Sequence, residues 1–180
     1  GPAGNWSRRD MNTSGAELKD ALFWEKEGDA IRCRLCPHSC LIREGKVGIC
    51  RVRQNDGGSL KAISYGMVSS VHLDPLEKKP LFHFRPGEPV LSFGGLSCNL
   101  RCQHCQNFTI AQVGLEDGMS RYIAPGSVPD MCQRANSNGV AWTYNEPTIW
   151  YEYMLDASRL CKERDLFTVS VTNGFIQEEP

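Results

Sequence analysis

Three cysteines on one short loop constrain this chain more than any other feature. They have the spacing C-x3-C-x2-C, follow the apolar run Val90 to Phe93, and are Cys98, Cys102 and Cys105. Three thiolates are one fewer than a tetrahedral metal ion or a four-iron cluster requires. A site with an open corner can bind a further ligand and do chemistry there, whereas a saturated site mostly supports structure or carries electrons. A structural zinc site completed by a remote ligand is the alternative.

Composition limits the class of protein and its partners. The chain has 180 residues, of which 41% are hydrophobic, and a net charge of −1. This length predicts about one domain plus a small module. The near-neutral charge offers no basic stripe for phosphate backbones, which argues against a nucleic-acid partner. No apolar run approaches the roughly 18 residues of a membrane span, so we expect no membrane partner.

The nine cysteines indicate a reducing compartment, and we expect a cytoplasmic protein. Gly1 to Glu17 lacks the apolar centre of a signal peptide. The odd cysteine count and the clustering in two short loops argue against a secreted disulfide scaffold. Cys132 and Cys161, outside those loops, are predicted core residues. The missing initiator Met and the ending at Pro180 lead us to expect a fragment of a longer protein.

A second group of cysteines is predicted to bind a separate metal. The group has the spacing C-x2-C-x3-C-x9-C and consists of Cys33, Cys36, Cys40 and Cys50. Four thiolates satisfy a tetrahedral ion and leave no vacancy. Such a site can hold together a small module that buries too little core by itself. Zinc and an auxiliary iron–sulfur cluster both remain open, and His38 could replace one cysteine.

Turn residues and hydrophobic patterning divide the chain into four predicted segments. They are a disordered leader (1–15), a Cys-rich metal-binding module (16–66), a connector (67–88) and a truncated core of three βα units (89–180). In the module we expect a helix over 16–27 and a hairpin that joins 48–53 to 60–65 through Gly57-Gly58. In the core, strands are predicted at 90–93, 140–144 and 167–172, and helices at 128–137 and 149–164. This alternation predicts an α/β fold with a parallel sheet and with its chemistry on the loops that follow the strands.

The cysteine loop resembles the cluster loop of the radical S-adenosylmethionine (SAM) superfamily. The runs Asp74 to Gly87 and Cys33 to Cys40 are also similar to the radical SAM family of the AmmeMemoRadiSam system, a relative of pyruvate formate-lyase activating enzymes. The resemblance covers about residues 31 to 176. It implies that the core is the N-terminal part of a partial (β/α)6 barrel. It also implies that Cys98, Cys102 and Cys105 bind a [4Fe–4S] cluster whose open iron chelates SAM.

The resemblance implies the following reaction. A reduced cluster cleaves SAM to methionine and a 5′-deoxyadenosyl radical, which abstracts a hydrogen atom from a protein or small-molecule substrate. Activation of a glycyl-radical enzyme is one such activity among the relatives, and an electron donor such as flavodoxin or ferredoxin is expected. The alternative function, from a different class, is a non-catalytic iron–sulfur or zinc module for electron transfer or scaffolding.

The resemblance also assigns SAM contacts to residues of this chain. His104 has the position that packs near the adenine. Asn145-Glu146-Pro147 resembles a variant of the Gly-Gly-Glu-Pro motif that receives the SAM amino group, and Glu146 supplies the acceptor carboxylate. Tyr144 and Asn145 replace the two glycines. A helix N-terminus with Pro near its first position is the alternative interpretation of this run.

The third strand carries the last predicted contacts. Thr172, Asn173 and Gly174 match an Asp-Thr-Asn-Gly run that lies near SAM in the activating enzymes, and Val171 replaces the acid. The resemblance therefore implies that Thr172 and Asn173 bind the cofactor. A simple turn at the end of the strand explains the same residues equally well.

Overall fold

The computed structural model describes residues 18–180, so the predicted leader lies outside the described residues. The N-terminal module begins with an antiparallel sheet of β1 (Trp24–Glu27), β2 (Ala30–Cys33) and β3 (Leu41–Arg43). The helix predicted over 16–27 is wrong in its described part, because β1 pairs with β2 along its whole length. Leu18 and Leu22 are exposed, so their helical spacing marks no buried face. In so short a segment, hydrogen bonding between strands decides the backbone conformation, and the helical spacing of the apolar residues does not.

A second hairpin completes the N-terminal module. It joins β4 (Arg53–Asp56) to β5 (Ser59–Ala62). Gly57 and Gly58 both have a positive φ, which suits the tight two-residue turn between the strands. The predicted hairpin is therefore present, but its first strand begins at Arg53 instead of ending there.

The core is a four-stranded open sheet. It consists, in spatial order, of β11 (Phe167–Ser170), β10 (Gly139–Trp142), β8 (Pro89–Gly94) and β7 (Ser70–Pro75). The first three strands are parallel, as the sequence predicts, whereas β7 is antiparallel to β8. The prediction of a connector over 67–88 is wrong for this part, because its prolines interrupt the chain only from the end of β7 onward. β6 (Met67–Val68), from the same segment, pairs with β9 (Arg121–Tyr122).

Three helices accompany the strands in the described residues. They are α1 (Phe108–Ala111), α2 (Val128–Arg134) and α3 (Tyr151–Lys162), and short 3-10 turns lie at Leu76–Lys78, Pro125–Ser127 and Pro147–Trp150. The helices α2 and α3 correspond to the two predicted ones but are shorter. Asn136 has a positive φ just beyond α2, which a continuing helix does not allow.

The main core lies between the sheet and the helices α2 and α3. Phe93, Trp142 and Tyr153 are fully buried there and form ring contacts with Trp142 at the centre. Cys132 and Cys161 are also buried, as predicted. The described residues therefore show a mixed α/β fold whose sheet is open and not closed into a barrel. Within residues 18–180, the helices are too short or too polar to cross a membrane.

Candidate metal and cofactor site

The ends of three parallel strands bring the predicted site residues to one edge of the sheet. The cysteine loop follows β8, Asn145 and Glu146 follow β10, and Thr172 and Asn173 follow β11. Because these strands run in the same direction, their carboxyl ends meet at a common edge, where open α/β sheets place ligands. The sequence-predicted residues of all three loops therefore lie side by side.

The cysteine loop carries three free thiols of different exposure. Cys98 and Cys105 are partly buried, and Cys102 is exposed. The amide of Leu100 donates to Cys98 Sγ at 3.3 Å. Burial raises the pKa of the Cys98 thiol, and Glu146 and the two other thiols raise it further. A metal would therefore have to supply the positive charge that ionises this thiol.

The thiols are not already closed around an ion. Among residues 18–180, no three Cys, His, Asp or Glu side chains surround a common metal position. The sulfurs of each group would have to move closer together in order to bind one ion. This requirement applies equally to the loop cysteines and to the four N-terminal cysteines.

Glu146 lies at the centre of the edge and is only 2% exposed. Its Oε1 accepts from the Thr148 amide at 3.0 Å and from the Thr172 hydroxyl at 2.6 Å. Its Oε2 accepts from the Asn173 amide at 2.7 Å. A carboxylate has about four acceptor positions, so Oε2 keeps one for a further donor. Glu146 also caps the 3-10 turn that begins at Pro147, which is the structural alternative that the sequence left open.

Asn145 holds the backbone of the cysteine loop. Its Oδ1 accepts from the Gly95 amide at 3.0 Å, and its Nδ2 donates to the Ser97 carbonyl at 2.8 Å. Both ends of this amide are therefore used on the chain that leads into Cys98. The structure gives Asn145 a role in shaping the loop.

Asn173 connects the third strand to the cysteine loop. Its Nδ2 donates to Asn99 Oδ1 at 3.0 Å and lies 3.9 Å from Cys98 Sγ. Asn99 itself is buried and donates to the Phe175 carbonyl at 2.9 Å. The structure thus brings Glu146, Thr172 and Asn173 together with Cys98. His104 is exposed on the loop, and in the described part no hydrogen bond joins it to these residues.

The comparisons with known proteins agree with this geometry. Residues 95–179 match the family profile of the Radical SAM superfamily. This segment belongs to the radical SAM superfamily. Members typically bind a [4Fe–4S] cluster and SAM, and the donor set at the edge fits both groups: three free thiols on one loop and a buried carboxylate beside them. Proteins of this superfamily typically carry out SAM-dependent radical chemistry.

Two curated relatives are similar to longer stretches of the chain. The uncharacterized protein MJ0808 of Methanocaldococcus jannaschii is 44% identical over 164 residues, which cover 91% of this chain and 49% of that protein. The uncharacterized protein MJ0674 of the same organism is 27% identical over 122 residues, or 64% of this chain and 31% of that protein. The chain therefore spans about half the length of the first relative and a third of the second. No solved structure matches the chain.

Sequence reasoning missed a polar network behind the radical SAM edge. Tyr144, which has a positive φ, donates from its hydroxyl to Asp74 Oδ2 at 2.6 Å. Lys79 is buried and donates to the same oxygen at 2.8 Å, and its ammonium lies 5.0 Å from the Tyr144 ring centre. The Tyr144 carbonyl accepts from Asn107 Nδ2 at 2.6 Å, just beyond Cys105. The network therefore supports the exit of the cysteine loop.

Charge pairing dominates this network. Burial favours the neutral acid, but hydrogen bonds from Lys78, Lys79 and Tyr144 hold the pKa of Asp74 well below its usual value. Burial and the hydrogen bond to Asp74 raise the pKa of Tyr144. An acid placed four residues before one Lys and five before another was the signal in the sequence. A pair of adjacent lysines looks like a solvated surface, and only the burial of Lys79 reveals its role.

The four N-terminal cysteines lie around one small cavity beside the radical SAM loop. Cys33 and Cys50 are buried, and Cys36 and Cys40 are partly buried. Burial raises the pKa of the Cys50 thiol to about 12. His38 also lines the cavity, but its Nε2 lies 2.7 Å from the carbonyl oxygen of Asn99. The structure therefore brings the four predicted ligands together and directs that nitrogen of His38 to the cysteine loop.

Proposed function

We propose that the protein is a radical SAM enzyme that uses a [4Fe–4S] cluster held by Cys98, Cys102 and Cys105. One observation carries the proposal. Glu146 and Asn173, from two further strands, lie against the loop that presents the three thiols, with Asn173 Nδ2 3.9 Å from Cys98 Sγ. A cluster held by these three thiols would keep one ligand position open near an acceptor carboxylate, as binding of an amino-acid ligand requires.

The bound cluster would supply one electron for the reductive cleavage of SAM. The residues of the chain bind and orient. Glu146 offers its remaining acceptor position to the SAM ammonium, and Thr172 and Asn173 fix the direction of that carboxylate. Asn145 keeps the loop backbone in place through Gly95 and Ser97. His104 is assigned to the adenine side, where its exposed position on the loop leaves room for a ring.

Electrons would enter at the exposed side of the loop. Cys102 is the most exposed of the three thiols, so an electron donor would approach the loop from this side. A small acidic electron donor such as flavodoxin or ferredoxin fits this position. Arg101 precedes Cys102 and is also exposed, which provides a cationic contact for such a partner.

The test is anaerobic reconstitution of the protein with iron and sulfide, followed by reduction in the presence of SAM. We expect a four-iron cluster and formation of 5′-deoxyadenosine and methionine. Cys98→Ala, Cys102→Ala and Cys105→Ala should each abolish cleavage, because each removes one cluster ligand. Gln106→Ala, an exposed change on the same loop, is the matched control and should retain cleavage. If the triple cysteine variant kept both cluster and cleavage, the assignment would be wrong.

A second candidate is a non-catalytic iron–sulfur or zinc module. The burial of Glu146 favours it, since the three hydrogen bonds to this carboxylate explain its presence without SAM. The same reconstitution separates the two functions. A protein that assembles its cluster but neither binds nor cleaves SAM would support the module for electron transfer or scaffolding.

A more specific proposal is that the protein activates a glycyl-radical enzyme. It is supported by the match at Thr172, Asn173 and Gly174, although Val171 occupies the position of the acid and is 37% exposed. Incubation of the reduced, SAM-loaded protein with a glycyl-radical enzyme of the same organism should yield a glycyl-radical signal in electron paramagnetic resonance. The absence of that signal under conditions that cleave SAM would assign a different substrate.

A further inference from the structure

The cavity between the four N-terminal cysteines has the donors of a metal–thiolate site. One of its sulfurs accepts from a backbone amide: the Ile49 amide lies 3.5 Å from Cys40 Sγ. Amide donors directed at sulfur stabilise the thiolate form over the thiol.

A charged side chain, Arg53, lines the same cavity, and its Nη1 pairs with Glu152. Arg53 is 1% exposed, and within the described residues its Nε is a buried donor that has no hydrogen-bond partner. Cys33 and Cys50 line the cavity together with Arg53. A buried donor normally has an acceptor, because leaving it unpaired costs about 1–3 kcal/mol. Thiolate sulfur would provide an acceptor for Arg53 Nε.

The small cavity favours zinc among the two metals that the sequence left open. Its volume is about 10 Å³. That is the space of roughly one water molecule. A single ion fits it, whereas a four-iron cluster requires a much larger space. Of the common ions with four thiolate ligands, Zn²⁺ prefers tetrahedral geometry and undergoes no redox change.

We propose that Cys33, Cys36, Cys40 and Cys50 bind one structural Zn²⁺ ion, which fixes the loop that carries His38 against the cysteine loop of the radical SAM segment. On binding, the four thiols lose their protons to solvent and form four Zn–S bonds. The Nε2 of His38 is directed at the Asn99 carbonyl and its ring lies 5.0 Å from that of Phe175, so it is a positioning residue and not a ligand. The side chain of Asn99 is itself held in place. Its Oδ1 accepts from Asn173 Nδ2, and its Nδ2 donates to the Phe175 carbonyl.

The strands around the cavity are short, so a bound ion would stabilise this part of the module. β2 has four residues and β3 has three. The segment between them contains Cys36 and His38 and no regular structure apart from a turn. Four ligands from three separate parts of the module would therefore bind the chain together at its least regular point.

The test is elemental analysis of the protein prepared with both zinc and iron available. We expect about one zinc per chain in addition to the iron. The triple variant Cys98→Ala, Cys102→Ala, Cys105→Ala should lose iron and keep zinc, whereas Cys36→Ser with Cys40→Ser should lose zinc. Cys161→Ala, which removes a cysteine outside both groups, should keep both metals. The zinc readout does not depend on SAM cleavage, so it stands even if the proposed enzymatic function fails.

Substitution of Co²⁺ for zinc in the unmutated protein keeps the test valid if the double variant does not fold. We expect the ligand-field spectrum of a tetrahedral tetrathiolate site. A spectrum of three sulfurs and one nitrogen would show that His38 is a ligand and would overturn the assignment. Iron that is bound by the N-terminal cysteines, or no metal in that module at all, would also overturn it.

Discussion

The hydroxyl of Thr172 donates a hydrogen bond of 2.6 Å to Glu146 Oε1, across the ends of the neighbouring strands β11 and β10. Together with the amides of Thr148 and Asn173, it fixes a buried carboxylate beside the loop of Cys98. The sequence could name both residues but could not show that one orients the other. This relationship leads to the first prediction.

Replacing Glu146 with Gln should weaken SAM binding at least tenfold, because it removes the anion that pairs with the SAM ammonium. One amide oxygen cannot accept from all three donors, so we also expect a loss of about 1–3 kcal/mol in the free energy of unfolding. Equilibrium dialysis with SAM and urea unfolding measure the two effects. Glu163→Gln, at an exposed site, is the control. Unchanged SAM affinity in a folded Glu146→Gln protein would rule out the contact.

Replacing Tyr144 with Phe should lower the free energy of unfolding by about 1.5–3 kcal/mol, because it removes a hydrogen bond to an ionised acid in a partly buried network. Tyr122→Phe is the matched control, since that side chain is 59% exposed. Urea unfolding of the two variants gives the comparison. Equal stability of both variants would show that the Asp74 contact contributes nothing.

Stability should fall at acid pH partly because of Asp74. Its pKa is lowered in the folded state, so the unfolded chain takes up the proton first, at about pH 3.9. The stabilisation is therefore complete above about pH 5 and is lost as the pH falls through the folded pKa. Asp74→Asn should have a shallower fall in unfolding free energy below about pH 5 than the unmutated protein. Parallel curves, measured by urea unfolding across this range, would contradict the pairing.

The pair of Arg53 and Glu152 should be far more important than an exposed pair. Both side chains are 1% exposed, and Arg53 Nη1 lies 2.9 Å from Glu152 Oε1. Glu152→Gln should cost about 3–5 kcal/mol in unfolding free energy, because it leaves the Arg53 cation buried without its partner. Asp130→Asn, which breaks the exposed pair with Arg164, should cost about 0–1 kcal/mol. Thermal unfolding of both variants under the same conditions provides the measurement, and similar losses would refute the contrast.

The sequence by itself determined the features that depend on local spacing. The C-x3-C-x2-C loop, the three parallel strands, the hairpin turn at Gly57-Gly58 and the burial of Cys132 and Cys161 all follow from neighbouring residues. Since parallel strands end at one edge, even the meeting of the three strand-end loops could be predicted. A local sequence pattern is enough to predict a feature when that feature depends on the backbone geometry of a single strand, helix or turn.

Only the tertiary structure decided contacts between distant parts of the chain. The described residues of the segment 16–27 form no helix, because residues 19–21 pair with β5 and β1 pairs with β2, which the periodic pattern does not reveal. Arg53 and Glu152 are 99 positions apart, and Tyr144 and Asp74 are 70 apart. Such pairs depend on how sheets and loops pack. Once the charged groups are buried, their interaction is stronger because water no longer screens it.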